Sequence, residues 1–398
     1  MNLLEQQLDY PFGDTLPAPG ATLEVAPGIK WIRMALPFAL DHINLWLLRD
    51  EIDGRAGWTV VDCCIAKDEA KSQWEAIFAS QLEGLPILRV IVTHMHPDHI
   101  GLAHWLCERW SSPAGPADEP PPGGPGPLGG QQSAQRRSVG APWTCRLWIS
   151  ATDYNSARIG SQSTTGFGGD SAARFFASHG LTDPESVEKI RGRANYYPSM
   201  VPDVPRSFHR MMDGQRIRIG GRDWVCISGF GHAPEHIALY CPDIAWGAAE
   251  PGATGRAGGV LISGDMVLPR ISTNVSVYDM EPESNPLALF LQSLDKFRSL
   301  DTATLTLPSH GKPFQGLHTR IDQLQDHHRD RLAEVMQACA ASPCSAADIL
   351  PVMFKRKLDL HQTTFAMGES VAHLHALWFE GRLRRTLDSD GIYRFCPA

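Results

Sequence analysis

Ile87-Leu88-Arg89-Val90-Ile91-Val92 runs directly into Thr93-His94-Met95-His96-Pro97-Asp98-His99, and this stretch decides the fold. Five of the first six residues are apolar, as in a strand buried on both faces. The next seven carry four metal-binding side chains at positions i, i+2, i+4 and i+5. In a turn leaving a strand, alternating side chains can converge on one or two ions. Pro97 keeps the next helix, predicted from about Gly101 to Trp110, from starting inside that turn. Upstream, 23–36, 43–49 and 58–65 read as strands rich in branched and aromatic residues. Ala70, Trp74, Ile77 and Phe78 recur at helical spacing and predict a helix over 67–82. A strand meander that passes into strand–helix alternation predicts an α/β layered domain.

Three later segments carry further donors, each closing an apolar run. They are Gly229-Phe230-Gly231-His232-Ala233-Pro234-Glu235-His236, Leu261-Ile262-Ser263-Gly264-Asp265, and Leu307-Pro308-Ser309-His310-Gly311. Together with HxHxDH, and in this order, they resemble the signature of the metallo-β-lactamase-fold hydrolases. The resemblance implies a four-layer αββα sandwich, placed at residues 20–335. It also implies a dinuclear site, with His94, His96 and His232 on one metal, Asp98, His99 and His310 on the other, and Asp265 bridging. Imidazole and carboxylate ligands without thiolate suit two zinc ions, with iron or manganese as alternatives. Such a pair would supply hydroxide as nucleophile and polarise a carbonyl or phosphoryl oxygen. Asp98 would orient the nucleophile. Asp62, which precedes Cys63-Cys64 where relatives have a small turn residue, is expected to hydrogen-bond a ligand histidine from behind. His236 is read either as a leaving-group or substrate residue or as a histidine packed beneath the loop. Cys63 and Cys64 are expected to be buried small hydrophobes. His318, His327 and His328 fall on a polar helix and are read as surface residues.

Two segments look like loop expansions, the Pro/Gly-rich 111–142 and the shorter 247–259. Asp183-Pro184 predicts a helix start, and Gly220-Gly221 a hairpin turn between strands 215–219 and 223–227. A helix is predicted from Pro286 to about Leu300, a strand over 304–307, and a long helix over roughly 315–340. Residues 340–398 form a second unit, with helices over 345–354 and 368–380 and a hairpin over 382–395. That order resembles the winged-helix segment found C-terminal to one branch of these hydrolases, related to the β-lactamase-like-protein-2 group. Its second helix offers Glu369, His373, His375 and Glu380 but no Lys or Arg, so duplex DNA is not expected to bind. A pocket wall or dimer surface is the favoured role, and Lys355-Arg356-Lys357 is read as a solvated helix end.

Composition narrows the classes. The 398 residues are 43% hydrophobic with formal net charge −8, and no run reaches 18 apolar residues, so no membrane partner is expected. Nine cysteines without framework spacing fit reduced thiols, and the N-terminus lacks a secretory pattern, so the expected location is cytoplasmic. Three functions stay open: hydrolysis of a small-molecule thioester such as an acyl-CoA or glutathione conjugate, endonucleolytic cleavage of single-stranded RNA, and non-catalytic metal-dependent regulation. The thioesterase is favoured, because all ligands are present and no basic strip interleaved with aromatics is visible. Arg206, Arg210, Arg216 and Arg218 gather before the GHAPEH segment as a candidate phosphate-binding face. A homo-oligomer is compatible with all three readings.

Overall fold

The computed structural model describes residues 3–112, 143–162, 168–246 and 258–398. The expected insertion at 111–142, beyond its first two residues, and most of 247–259 therefore lie outside the described residues.

One sheet holds seven strands in chain order: β1 (Leu23–Ala26), β2 (Ile29–Ala35), β3 (His42–Ile52), β4 (Arg55–Val61), β5 (Ile87–Ile91), β6 (Arg146–Ser150) and β7 (Phe208–Met211). It is antiparallel through β4 and parallel from there to β7. The second sheet has the order β12-β11-β10-β9-β8, from β8 (Arg216–Ile219), β9 (Arg222–Gly229), β10 (His236–Cys241), β11 (Val260–Gly264) and β12 (Leu305–Pro308). Gly220 and Gly221, both at positive φ, make the two-residue turn between β8 and β9.

Strand alternation sorts side chains into layers. On β3, Trp46 and Leu48 face inward with Trp31, Val61 and Ile91 and meet Trp224, Cys226, Ile237, Leu239 and Ile262 of the second sheet. The odd positions Ile43, Leu45 and Leu47 face outward, under Trp74, Ile77 and Leu106. These come from α1 (Asp68–Ser80) and, beyond the short α2 (Pro97–Ile100), from α3 (Ala103–Trp110). On the far side, Ile227, Ala238 and Leu261 pack against helices that include Phe290 and Leu324. The result is the expected αββα sandwich. The remaining helices are α4 (Ala151–Gln162), α5 (Gly169–Ser178), α6 (Pro184–Arg191), α7 (Pro286–Lys296) and α8 (Leu317–Ala341).

Beyond α8 come α9 (Ala346–Met353), α10 (Leu360–Phe379) and a hairpin of β13 (Leu383–Leu387) and β14 (Tyr393–Pro397). α10 starts eight residues before the predicted 368. Asp359 caps it, and Gln362 returns a bond to the cap. Thirteen of its twenty residues are buried, His373 and His375 among them. α8 runs without a break through 335–340, and Val335, Ile349, Val371 and Phe395 share one core with the second sheet. His328, expected at the surface, is fully buried, with Nδ1 3.3 Å from His373 Nε2. No helix of the described residues is long and apolar enough to cross a membrane.

Candidate metal centre

All seven predicted donors lie at the C-terminal ends of strands, because β5, β11 and β12 each run out into a donor-bearing turn and β9 ends at the loop carrying His232. The turns are held from below. Asn44 accepts from Trp31 Nε1 at 2.9 Å and donates to the carbonyls of Pro308 and Gly311, fixing the His310 loop on both sides. Asp62 takes a left-handed backbone at φ +62°, and Cys64 does so at +71°. This is the turn that ends β4 earlier than predicted, and it allows Asp62 to accept Thr93 N at 2.8 Å.

The structure brings the seven together in two groups. His94, His96, His232 and Asp265 present ligand atoms within 4.8 Å of one another, as do Asp98, His99 and His310. Asp265 faces both, with Oδ2 3.3 Å from His232 Nε2, and Oδ1 3.6 Å from His99 Nε2 and 3.5 Å from His310 Nε2. Asp98 Oδ2 lies 3.6 Å from His99 Nε2 and 3.4 Å from His310 Nε2. His99 Nε2, His310 Nε2 and Asp265 Oδ1 are buried without a hydrogen-bond partner, which is costly unless something else occupies the space they face. A nitrogen and oxygen donor set with three such orphaned atoms fits divalent cations.

The outward ring nitrogens are anchored. His99 Nδ1 meets Asp62 Oδ2 at 2.8 Å, His232 Nδ1 meets the Asn274 carbonyl at 2.7 Å, and His310 Nδ1 meets the His42 carbonyl at 2.7 Å. Each contact holds a proton on Nδ1 and turns Nε2 inward. Burial, with the neighbouring imidazoles, pushes His94 well below the usual histidine range and His96 to about 3, so both rings stay neutral. His310 goes the other way, to about 10: burial opposes its charge, but Asp265 and Asp98 outweigh it. Asp98 falls to about 2 against its own burial, held there by His99 and His310.

Of the two readings of His236, the structure favours the packed one. The ring is fully buried, and its Nε2 accepts the Asp265 amide at 3.1 Å, so it supports the Asp265 turn from beneath. Cys63 and Cys64 are buried, and all nine thiols are free. Sequence reading missed Asp153. This buried carboxylate accepts Met95 N at 2.8 Å and Glu235 N at 2.6 Å, tying the turn of His94 and His96 to the loop of His232. Nothing in Ala151-Thr152-Asp153-Tyr154 signals that role.

The candidate centre floors a cavity of about 460 Å³. Leu36, Phe38, Leu268 and Ile271 line one side, and Phe354, Arg356, Leu358, His361, Phe365 and Glu369 come from the segment after α8. Glu369 bonds the Asn274 side chain at 3.2 Å, and the Asn274 carbonyl holds His232. Arg206, Arg210, Arg216 and Arg218 do not line this cavity; Arg216 and Arg218 border a separate hollow beside Arg49 and Asp50.

Residues 40–243 match the Metallo-beta-lactamase superfamily, and 332–398 match the Metallo-beta-lactamase-like, C-terminal domain. A β-lactamase domain protein from Burkholderia ambifaria is 50% identical, with both chains covered in full and a TM-score of 0.84. A metallo-β-lactamase family protein from Thermus thermophilus, TTHA1429, is 23% identical, covering 94% of this chain and 99% of that one, with a TM-score of 0.65. The probable metallo-hydrolase YqjP of Bacillus subtilis (strain 168) is 21% identical over 371 residues, 91% of this chain and 96% of that protein.

Proposed function

Because the chain belongs to the metallo-β-lactamase superfamily and is a metallo-hydrolase, we propose that it hydrolyses a thioester, an acyl-CoA or related compound, at a dinuclear zinc centre. The observation that carries this reading is a carboxylate, Asp265, shared between two donor groups at the floor of a largely apolar cavity. His94, His96 and His232 would hold one cation, Asp98, His99 and His310 the other, with Asp265 between them. Iron or manganese would suit the same donors. Divalent cations bound there lower the pKa of water and polarise the substrate's carbonyl.

The chain's own groups do the rest. Asp98, ionised across the neutral range, lines the cavity and accepts a hydrogen bond from the attacking water, fixing its lone pair on the carbonyl. Asp62 and the Asn274 and His42 carbonyls hold the imidazoles in one orientation. The apolar lining excludes bulk water and receives the acyl chain. Support for a thioester over RNA comes from that lining and from the four upstream arginines standing elsewhere.

Thiol release from acyl-CoA and glutathione thioesters by zinc-loaded protein tests the reading. Release should fall about 100-fold or more in Asp98→Ala with the fold intact. Undiminished release in that variant would overturn Asp98's role. No release from protein carrying two metals per chain would overturn the thioester, and single-stranded RNA would be tried next.

A further inference from the structure

Lys355, Arg356 and Lys357 occupy the loop between α9 and α10, and all three are exposed. Among the described residues neither Arg356 nor Lys357 meets a carboxylate, and Lys355 Nζ reaches only the Pro351 carbonyl, at 3.4 Å. This is unusual in a chain of net charge −8, where most other arginines of the described residues are hydrogen-bonded or ion-paired. The nearest acid in sequence, Asp359, is already engaged: its carboxylate accepts Gln362 N at 2.8 Å as the cap of α10. Of the three, Arg356 lines the cavity, and Lys355 and Lys357 flank it in the chain.

Half-buried Asp98 and buried His310 lie at the floor, apolar side chains such as Phe38, Ile271 and Phe365 form the walls, and Arg356 lies at the exposed edge. A substrate with its scissile carbonyl at the floor and a charged end at the rim would match this sequence of surfaces. A guanidinium offers a planar fork of donors suited to phosphate oxygens, and flanking lysines add a local positive field in an otherwise acidic protein.

We propose that the Lys355–Lys357 loop is the anion-recognising rim of the cavity and binds the phosphates on the thiol half of an acyl-CoA-type substrate. The inference rests on the thioester reading and narrows it to thiols that bear phosphate.

Three thioesters of one acyl group separate the possibilities. Butyryl-CoA carries phosphates, S-butyryl-glutathione carries carboxylates, and S-butyryl-N-acetylcysteamine carries no charge. The quantity read is kcat/KM for each charged substrate relative to the neutral one, measured with zinc-loaded full-length protein. In Arg356→Ala the CoA ratio should fall about 10-fold, through KM rather than kcat. Arg356→Lys should recover part of it, and Lys355→Ala/Lys357→Ala should lower the ratio about 3-fold. The wild-type ratio should also shrink as salt rises from about 50 to about 500 mM. Lys67→Ala, an exposed cation outside the cavity, controls for net charge. An unchanged CoA ratio in the alanine variants overturns the proposal, as does a fall confined to the glutathione ratio. Calorimetric titration with CoA itself keeps the two readings apart. If no thioester is cleaved, the thioesterase reading fails, and the rim is judged by CoA affinity alone. A Kd about 10-fold weaker in Arg356→Ala upholds it, and an equal Kd or no binding to wild type overturns it.

Discussion

Asp153→Ala is the sharpest test of how the metal centre is held. The wild-type carboxylate accepts Met95 N at 2.8 Å and Ser150 Oγ at 3.2 Å in buried contacts, and Glu235 N at 2.6 Å in a partly buried one. Alanine takes the acceptor from two amide donors, one buried and one partly buried. At about 1–3 kcal/mol for an orphaned buried donor, and less for the partly buried one, the fold should lose about 1–5 kcal/mol. The two amides also belong to different ligand loops, one between His94 and His96 and one three residues after His232. Losing the tie should therefore widen the spread of the first donor group and weaken zinc about 10–100-fold. Urea unfolding of metal-free protein reads the first effect, and zinc competition with a chromophoric chelator reads the second. An Asp153→Ala protein within about 0.5 kcal/mol of wild type, with unchanged zinc affinity, would refute the reasoning.

Two further perturbations probe the C-terminal helix. In Gly368→Ala the new Cβ would meet Ser276 Cβ at 2.7 Å and the Val277 carbonyl at 3.2 Å, so α10 must lift from the segment that anchors His232. We expect a loss of about 1–3 kcal/mol in urea unfolding, and an unchanged midpoint would contradict the packing. Glu369 has its pKa raised to about 7 by burial, so the folded state favours its neutral form. Its contribution is therefore full below the unfolded value near 4.5 and is lost as pH rises through 7. Glu369→Gln should match wild type at about pH 4.5 and exceed it by on the order of 2–3 kcal/mol at about pH 8 in metal-free protein, and parallel stability curves would contradict this.

What could be read from the sequence was local. β10 and β11 end where Gly, Pro and polar residues interrupt branched runs, and HxHxDH declares itself within six residues. Asp153 does not, because its partners lie 58 and 82 residues away and no spacing rule links them. The start of α10 was written in Asp359 and Gln362, a capping pair hidden by the polar run His361-Gln362-Thr363-Thr364 that interrupts helical periodicity. His328 looked solvated because its neighbours Asp326, Arg329 and Asp330 are charged. The helix turns only its ring inward, toward Phe290 and His373. The strand expected over 58–65 stops at Val61 because Asp62 takes a backbone conformation seldom adopted by residues other than glycine.

The division of the cavity along the chain has a bearing on how this protein can change. Every candidate ligand precedes residue 311, whereas eight residues bordering the cavity follow residue 353. Part of the surface a substrate would meet is thus encoded apart from the candidate ligands. Drift within residues 354–369 can reshape that part of the cavity while the ligand-bearing turns stay under separate selection. During translation the ligand-bearing turns also leave the ribosome before residues 354–369, so the cavity closes only after every candidate ligand has emerged.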